Sequence, residues 1–467
     1  MPELPEVETV RRVLESKYIN RIITKIEVLY PKMIKTNLNE FVNTLTGAKI
    51  ISIGRKGKYL FINFSNQYSI ISHLRMEGKY IQKNIDEENT SYSRVVFYLD
   101  NNIKICYDDS RCFGIMYLEK TSEIFSNKEV SKLGPEPFEV KDTNYLYNRI
   151  HRSNNEIKAC LLDQSIMCGL GNIYCDEVLF KSKINPYKKG KDITLEDCDN
   201  ILKYSIETLN HAIKLGGSTV SSYHPEKGVD GRFQNELLVY GKVNHHCPNC
   251  NSIFRKDRLK GRGTTYCPHC QNVAISVGLT GKIATGKSSV LKILMNKGAK
   301  VFSSDDEVNK LYQEIDFQKK IINLFGEAVL NDDLKISKAY IRNIVDDNIE
   351  LKRKLESLIH PIIKERILNF LQKNKNEKLL VVEVPLLFEA KLSNLFDYTI
   401  GVTCSLPSQI NHLKQRKCNN IEQSLQINQT SKFDQYANKC DFLINNDGTY
   451  EELETQVNQI YQKIVNS

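Results

Sequence analysis

No apolar run in this sequence approaches the roughly 20 residues that a membrane-spanning helix needs. The amino terminus, MPELPEVETVRR, lacks the apolar stretch of a secretory signal. No long window is polar and charged enough to stay disordered, and hydrophobic residues make up 41% of the 467. A disulfide framework is also missing: the 13 cysteines are odd in number, and only four stand in pairs at ligand spacing. These absences lead us to expect a cytoplasmic protein, free of the membrane, with about three domains at roughly 150 residues each.

What is present is a charge excess, placed unevenly. The net charge is +9; residues 1–272 carry +7 of it and residues 273–467 carry +2. The excess concentrates in FRKDRLKGR (254–262), with five basic residues and one acid. A nucleic-acid partner fits this pattern, and so does a solvated basic face.

Two cysteine pairs sharpen the choice. Cys247-Pro-Asn-Cys250 and Cys267-Pro-His-Cys270 lie sixteen residues apart, the spacing of a four-cysteine zinc site. Four thiolates leave no open coordination position, so one structural Zn²⁺ per chain is expected. The residues between the pairs suit a β-hairpin carrying Arg255, Lys256, Arg258, Lys260 and Arg262, a shape fitted to DNA phosphates.

The chain begins Met1-Pro2-Glu3. Removal of the initiator methionine would leave Pro2 as a secondary amine, able to attack an aldehyde-like sugar carbon and form an iminium. Glu3 beside it could move protons.

The segments MPELPEVETV, KGKYL around Lys58, HLRMEGKY, DDSRCFG, LLDQSIMCGLGNIYCDEVLF and GRGTTYCPHCQ occur in order over residues 1 to about 272. Together they resemble formamidopyrimidine-DNA glycosylase, the bacterial repair enzyme for 8-oxoguanine; the leucine in PELPEV favours it over the endonuclease VIII relatives. The resemblance implies an N-terminal β-sandwich over 1–135, a helix–two-turn–helix domain over 136–240 and a zinc finger over 241–272. It implies that Pro2 is the Schiff-base nucleophile, that Glu3 opens the sugar, and that Lys58 and Arg262 assist β- and δ-elimination. Met76, Arg111 and Phe113 match the trio that fills the gap left by an extruded base. Lys158 matches a lysine near the lesion pocket, Asn172 a phosphate contact, and Arg94 stands where the family often has histidine at the DNA contact. Ser110 and Cys112 also depart from the usual pattern. The implied partner is double-stranded DNA with oxidised purines, processed by a monomer. The alternative is a DNA-binding module without catalysis.

A second motif follows without a linker. ISVGLTG (275–281) reads as a buried strand that runs into Gly281-Lys-Ile-Ala-Thr-Gly286-Lys287-Ser288, which satisfies G-x4-G-K-[ST]. Such a loop presents N–H groups to phosphates, its lysine reaches the β/γ oxygens, and its serine meets Mg²⁺. Further strands at KVFSS, LLVVEVP, YTIGVTC and DFLINN, with helical stretches between, predict a parallel α/β sheet over 274–467. VGLTGKIATGKSSV, DDEVNKLY, LESLIHPII, VVEVPLLFE and DFLINNDGTYEEL are similar to dephospho-CoA kinase, which phosphorylates the 3′-hydroxyl of dephospho-CoA with ATP. The resemblance implies Asp305 as the base and Gly281, Ala284, Thr285, Gly286, Lys287, Ser288, Ser289 and Arg416 as the ATP site. It also implies an acceptor region at His360-Pro361. Lys282 and Ala284 replace glycines of the usual loop, Ser303 an acid, and His412 and Gln426 arginines. Side chains at 282 and 284 are therefore expected to crowd the phosphates, and lost guanidinium groups to slow transfer. A different small-molecule kinase, or a degenerate one, are the alternatives.

Overall fold

The computed structural model describes residues 2–218, 231–331, 335–346, 348–415, 421–430 and 432–466. They form two compact units, Met1–Asn272 and Val273–Ser467. Among the described residues no helix is long and apolar enough to cross a membrane.

In the first unit, helix α1 (Leu4–Tyr18) starts where Pro5 suits a first turn and where the Glu6 carboxylate takes the Glu3 N–H at 2.8 Å. Its apolar stripe, Val7, Val10, Leu14 and Tyr18, is buried in the core of a β-sandwich. After α1 come β1 (Ile23–Val28), α2 (Leu38–Leu45), β2 (Ile50–Lys56), β3 (Tyr59–Phe64), β4 (Tyr68–His73), β5 (Lys79–Asn84), β6 (Ser93–Leu99), β7 (Ile103–Asp108) and β8 (Ile115–Lys120). Two antiparallel sheets result, ordered β1-β6-β7-β5 and β2-β3-β4-β8. His73 pairs with Ile115 in one sheet, and Lys79 with Asp108 in the other. The segments 74–78 and 109–114 therefore cross between the sheets side by side.

Four helices follow: α3 (Thr143–Ile150), α4 (Ile157–Leu162), α5 (Asn172–Lys181) and α6 (Leu195–Lys214). They share a core that includes Leu146, Leu161, Tyr174, Val178 and Leu209, and Leu4 of α1 is buried in it too. Helix α1 thus belongs to both cores. Strands β9 (Arg255–Leu259) and β10 (Arg262–Tyr266) form a hairpin whose turn residues Lys260 and Gly261 take the left-handed conformation a two-residue turn requires.

A buried ion pair seats this hairpin. Lys158 Nζ lies 2.7 Å from Asp176 Oδ1, and neither side chain is exposed. The ammonium also donates to Gly263 O at 2.8 Å and Thr264 Oγ1 at 3.0 Å, while Asp176 accepts the Thr265 N–H at 3.0 Å. Asn172 Nδ2 donates to the same Gly263 oxygen at 3.0 Å.

The second unit holds β11 (Ile275–Gly281), β12 (Lys300–Ser303), β13 (Leu379–Glu383), β14 (Tyr398–Thr403) and β15 (Phe442–Asn445), all parallel, in the order β12-β13-β11-β14-β15. Its strands are near-continuous apolar runs because both faces are covered. Helices α7 (Lys287–Asn296) and Tyr450–Asn466 pack one face through Val290, Leu294, Val457 and Ile464. Helices between Ser304 and Lys373, α8 (Ser304–Leu311) first among them, cover the other through Leu311, Phe317, Ile363 and Ile367.

The Lys158–Asp176 pair gives the first testable outcome. Lys158→Met leaves a buried carboxylate unpaired, so urea unfolding of the first unit should shift by about 3–5 kcal/mol. Adding Asp176→Leu should return a large part of that loss; a double variant as unstable as the single one would show that the pair does not seat the hairpin.

Candidate functional sites

Glu3 ends in a buried seam between sandwich and helices. Its carboxylate accepts N–H bonds from Gly171 at 2.6 Å, Ile173 at 2.9 Å and Tyr174 at 3.4 Å, which are the open donors at the start of α5. The approach is close enough to demand glycine: a Cβ on Gly171 would lie 2.3 Å from Glu3 Cδ. Lys58 is buried as well and donates to Leu170 O at 2.7 Å. Pro2 is buried beside Glu3. Carboxylate and ammonium therefore converge on the turn 169–173, with the proline next to the carboxylate in the chain. Burial pushes the Glu3 pKa up to about 7, although Lys58 pulls it down and Glu6 adds to the rise. Burial also lowers the Lys58 pKa, against the pull of Glu3. A carboxyl near 7 can give and take a proton at neutral pH.

Several neighbours that the sequence reading passed over hold this seam. Glu6 accepts from Tyr174 Oη at 2.6 Å and Ser218 N at 2.7 Å. Its signal was available: three residues beyond Glu3 is capping-box spacing. Arg55 bonds Glu8 and Glu136 and donates to Gly57 O at 3.0 Å, while Gly57 N–H reaches Glu136 at 2.6 Å, so the backbone ahead of Lys58 is fixed. Burial would raise the Glu8 pKa, but bonds from Arg11, Arg55 and Arg12 outweigh it and hold the carboxyl at about 2.

The residues expected at DNA divide into two sets. Met76 lies on the 74–78 crossing; Arg111 and Phe113 lie on its neighbour. Phe113 is 51% exposed, with the Arg111 guanidinium 4.8 Å from its ring centroid. Arg262 is exposed at the start of β10. The other three side chains, Arg94, Lys158 and Asn172, make hydrogen bonds within the protein. Arg94 donates to Asp109 O at 2.8 Å and Ser91 O at 3.2 Å, and so braces the loop that carries Phe113. Lys158 has no exposed surface, and Asn172 gives its amide to Gly263. Both hold the backbone next to Arg262.

The four cysteines meet as expected. Their sulfur atoms all lie within 4.8 Å of one another, with Cys247–Cys270 at 3.7 Å and Cys250–Cys267 at 3.4 Å. Zn–S bonds of ~2.3 Å in a tetrahedron place sulfurs about 3.8 Å apart, so the set fits a structural zinc ion.

In the second unit the phosphate loop joins β11 to α7. Gly286 takes φ +98°, and a Cβ there would fall 2.0 Å from Asn446 Nδ2. Lys287 is buried and donates to Gly281 O at 3.0 Å and Lys282 O at 2.9 Å. Thr285 turns its hydroxyl inward to Lys282 O at 3.0 Å, and the Ser289 N–H bonds Gly286 O at 3.0 Å. A cavity of about 570 Å³ opens above the loop, lined by Ala284, Gly286, Lys287, Ser288, Asp305 and Glu383. A second, of about 470 Å³, is lined by His360, Pro361, Lys364 and Leu386, and Asp305 lines it too. Glu383, the last residue of β13, is a buried carboxylate whose pKa burial raises against the pull of Lys287. It closes the apolar run LLVVE and belongs to the site, although the sequence reading assigned it no role.

Lys282 turns its ammonium to Asp434 at 2.5 Å and does not line the cavity above the loop. Ala284 instead carries strain: φ is +63°, which costs a residue with a Cβ about 1 kcal/mol. Ser303 caps α8, accepting the Asp306 N–H at 3.3 Å, and Gln426 is exposed. Arg416 lies outside the described residues.

This geometry is that of a zinc-finger, DNA-processing enzyme followed by a P-loop phosphotransferase. Comparison with known proteins agrees. Residues 1–116 match the formamidopyrimidine-DNA glycosylase N-terminal domain, 133–224 the H2TH domain of that enzyme, and 245–273 the zinc finger found in FPG and IleRS. Residues 275–452 match dephospho-CoA kinase. Formamidopyrimidine-DNA glycosylase of Bacillus cereus is 43% identical over 274 residues, 58% of this chain and 99% of that one. The enzyme of Lactobacillus johnsonii is 43% identical over 272 residues, again 58% and 99%. Solved structures of the Lactococcus lactis enzyme, with DNA containing Fapy-dG or an abasic site, are 39% identical at a TM-score of 0.55, covering 58% of this chain and 99% of theirs. The chain belongs to the formamidopyrimidine-DNA glycosylase family and continues into a dephospho-CoA kinase domain. The zinc finger calls for structural Zn²⁺, and the kinase domain for ATP and Mg²⁺.

The Glu3 pKa has a measurable consequence. Between about pH 4.5 and 7 the folded chain keeps a proton that the unfolded chain releases, so stability falls as pH rises through that window. The loss should be on the order of 3 kcal/mol between pH 4 and 8 and should shrink in Glu3→Gln. Urea unfolding at the two pH values checks it, and identical pH slopes in both proteins would refute it.

Proposed function

We propose that the first unit excises oxidised purines, 8-oxoguanine and formamidopyrimidines, from double-stranded DNA and then cleaves the strand as an AP lyase. The meeting of Glu3 and Lys58 on one buried turn, with Pro2 buried next to Glu3 in the chain, carries this reading. The Pro2 nitrogen attacks C1′ of the extruded nucleotide, the bonding pair leaves with the base, and the base takes up the proton that Pro2 sheds. Glu3 supplies a proton to the ring oxygen, the sugar opens, and the nitrogen lone pair completes an iminium at C1′. Loss of a C2′ proton then expels the 3′ phosphate, with Lys58 assisting. Arg262 binds phosphate at the δ-elimination that follows. In this reading Phe113, exposed beside the Arg111 guanidinium, fills the gap left by the extruded base together with Arg111 and Met76.

For the second unit we propose transfer of the ATP γ-phosphoryl group to the 3′-hydroxyl of dephospho-CoA. The loop from Gly281 to Ser289 holds the phosphates, and Lys287 offsets their charge. Asp305, on the wall common to both cavities, takes the hydroxyl proton of an acceptor lying towards His360 and Pro361. That shared wall is the observation that favours a two-substrate transfer over ATP binding alone.

Each reading has a direct test. Sodium borohydride should trap a covalent adduct with 8-oxoguanine duplex, and Pro2→Thr should lower its yield at least ~100-fold. Binding without any adduct, by chain whose mass shows Met1 removed, would leave a DNA-binding module. In a coupled assay with ATP-Mg²⁺, dephospho-CoA should be consumed, and Lys287→Ala should slow turnover by about 100-fold or more. Equal rates in the two proteins would refute the kinase reading; ATP binding without turnover would mark a degenerate domain or one with another acceptor.

A further inference from the structure

Two of the residues that set this phosphate loop apart from its family's usual pattern meet in space. Ala284 holds a left-handed backbone, and its carbonyl oxygen accepts from His412 Nδ1 at 2.8 Å. A carbonyl only accepts, so Nδ1 carries the hydrogen. The preceding residue is held by both of its backbone groups: the Ile283 N–H donates to Asn428 Oδ1 at 2.9 Å, and Asn428 Nδ2 donates to Ile283 O at 3.0 Å. Asn428 is 5% exposed, and its amide also donates to Gln409 Oε1 at 2.9 Å. Gln409 in turn donates to Cys404 O at 3.2 Å, just past the end of β14. On either side, Lys282 pairs with Asp434, and Asn446 Nδ2 bonds Thr285 O at 3.0 Å. Four successive loop residues, 282 to 285, are thus each held by a side chain from the 412–446 stretch.

Backbone strain persists only where its surroundings over-determine it. A glycine at 284 would take this conformation unaided; an alanine relaxes out of it unless restrained. We infer that His412 and Asn428 are positioning residues for the phosphate-binding loop, holding Ala284 in the shape that aims the loop's N–H groups at phosphate. Where an arginine would reach a phosphate directly, His412 acts on the loop instead. The inference builds on the kinase reading, since the ligand it concerns is ATP.

A double-mutant cycle between positions 284 and 412 tests it in the full chain, with ATP-Mg²⁺ affinity read by calorimetric titration. His412→Ala should weaken ATP binding about five- to tenfold in the native background, but less than about twofold when Ala284→Gly is also present. His412→Gln, which retains an N–H donor, should recover most of the affinity. Thermal unfolding of each variant separates this from general destabilisation, which would act equally in both backgrounds. If His412→Ala does not fold, Asn428→Ser in the same two backgrounds makes the same comparison. Equal losses in both backgrounds, or no recovery with glutamine, would overturn the inference while ATP binding by the unmodified chain keeps the kinase reading intact. Absence of ATP binding by the unmodified chain would sink the kinase reading itself.

Discussion

One carboxylate at the open end of one helix organises the first unit. The start of α5 leaves N–H groups without partners, and Glu3 takes three of them. To do so, α1 must bury Leu4 among the helices while its remaining stripe stays in the sandwich. The first residues of the chain are thereby fixed at the seam between two cores, with Pro2 buried next to Glu3 in the chain. The same burial that locks Glu3 raises its pKa, so position and reactivity have one cause.

Buried charge recurs as the means of aiming exposed charge. Asp176 and Lys158 are invisible from outside, yet they hold the backbone on which Arg262 stands. Arg94 does the same for the Phe113 loop, and Glu177 takes the N–H groups of Leu238, Val239 and Tyr240 ahead of the zinc hairpin. Taking each charge out of water costs desolvation, and its hydrogen bonds offset that cost while specifying one geometry. Lys158, Asn172 and Arg94 thus hold the backbone that carries Arg262 and Phe113.

The second unit meets a similar demand differently. Its parallel sheet places the phosphate loop at the end of the central strand, where β13 brings Glu383 alongside in register with Leu279. Departures from a glycine-rich loop do not obstruct the cavity. They are absorbed by the surrounding side chains, Lys282 by Asp434 and Ala284 by His412.

Much of this was legible in the sequence, because its strongest signals are local. Four cysteines at fixed spacing, a glycine-rich loop between an apolar strand and a helix, and ordered family segments define their elements through short-range geometry. The sheet classes followed from the alternation of strands with turns or helices. Only the tertiary structure decided what each polar side chain does. The internal hydrogen bonds of Lys158, Asn172 and Arg94 were not legible, because cation and amide identity carries no information about burial; their partners lie 105, 91 and 15 residues away. Ala284 and His412 looked like two unrelated losses, since nothing in a linear motif reports that residues 128 positions apart share a hydrogen bond. Sequence alone set the elements and the chemistry available to them, and long-range packing assigned which side chains face the substrate and which hold the others in place.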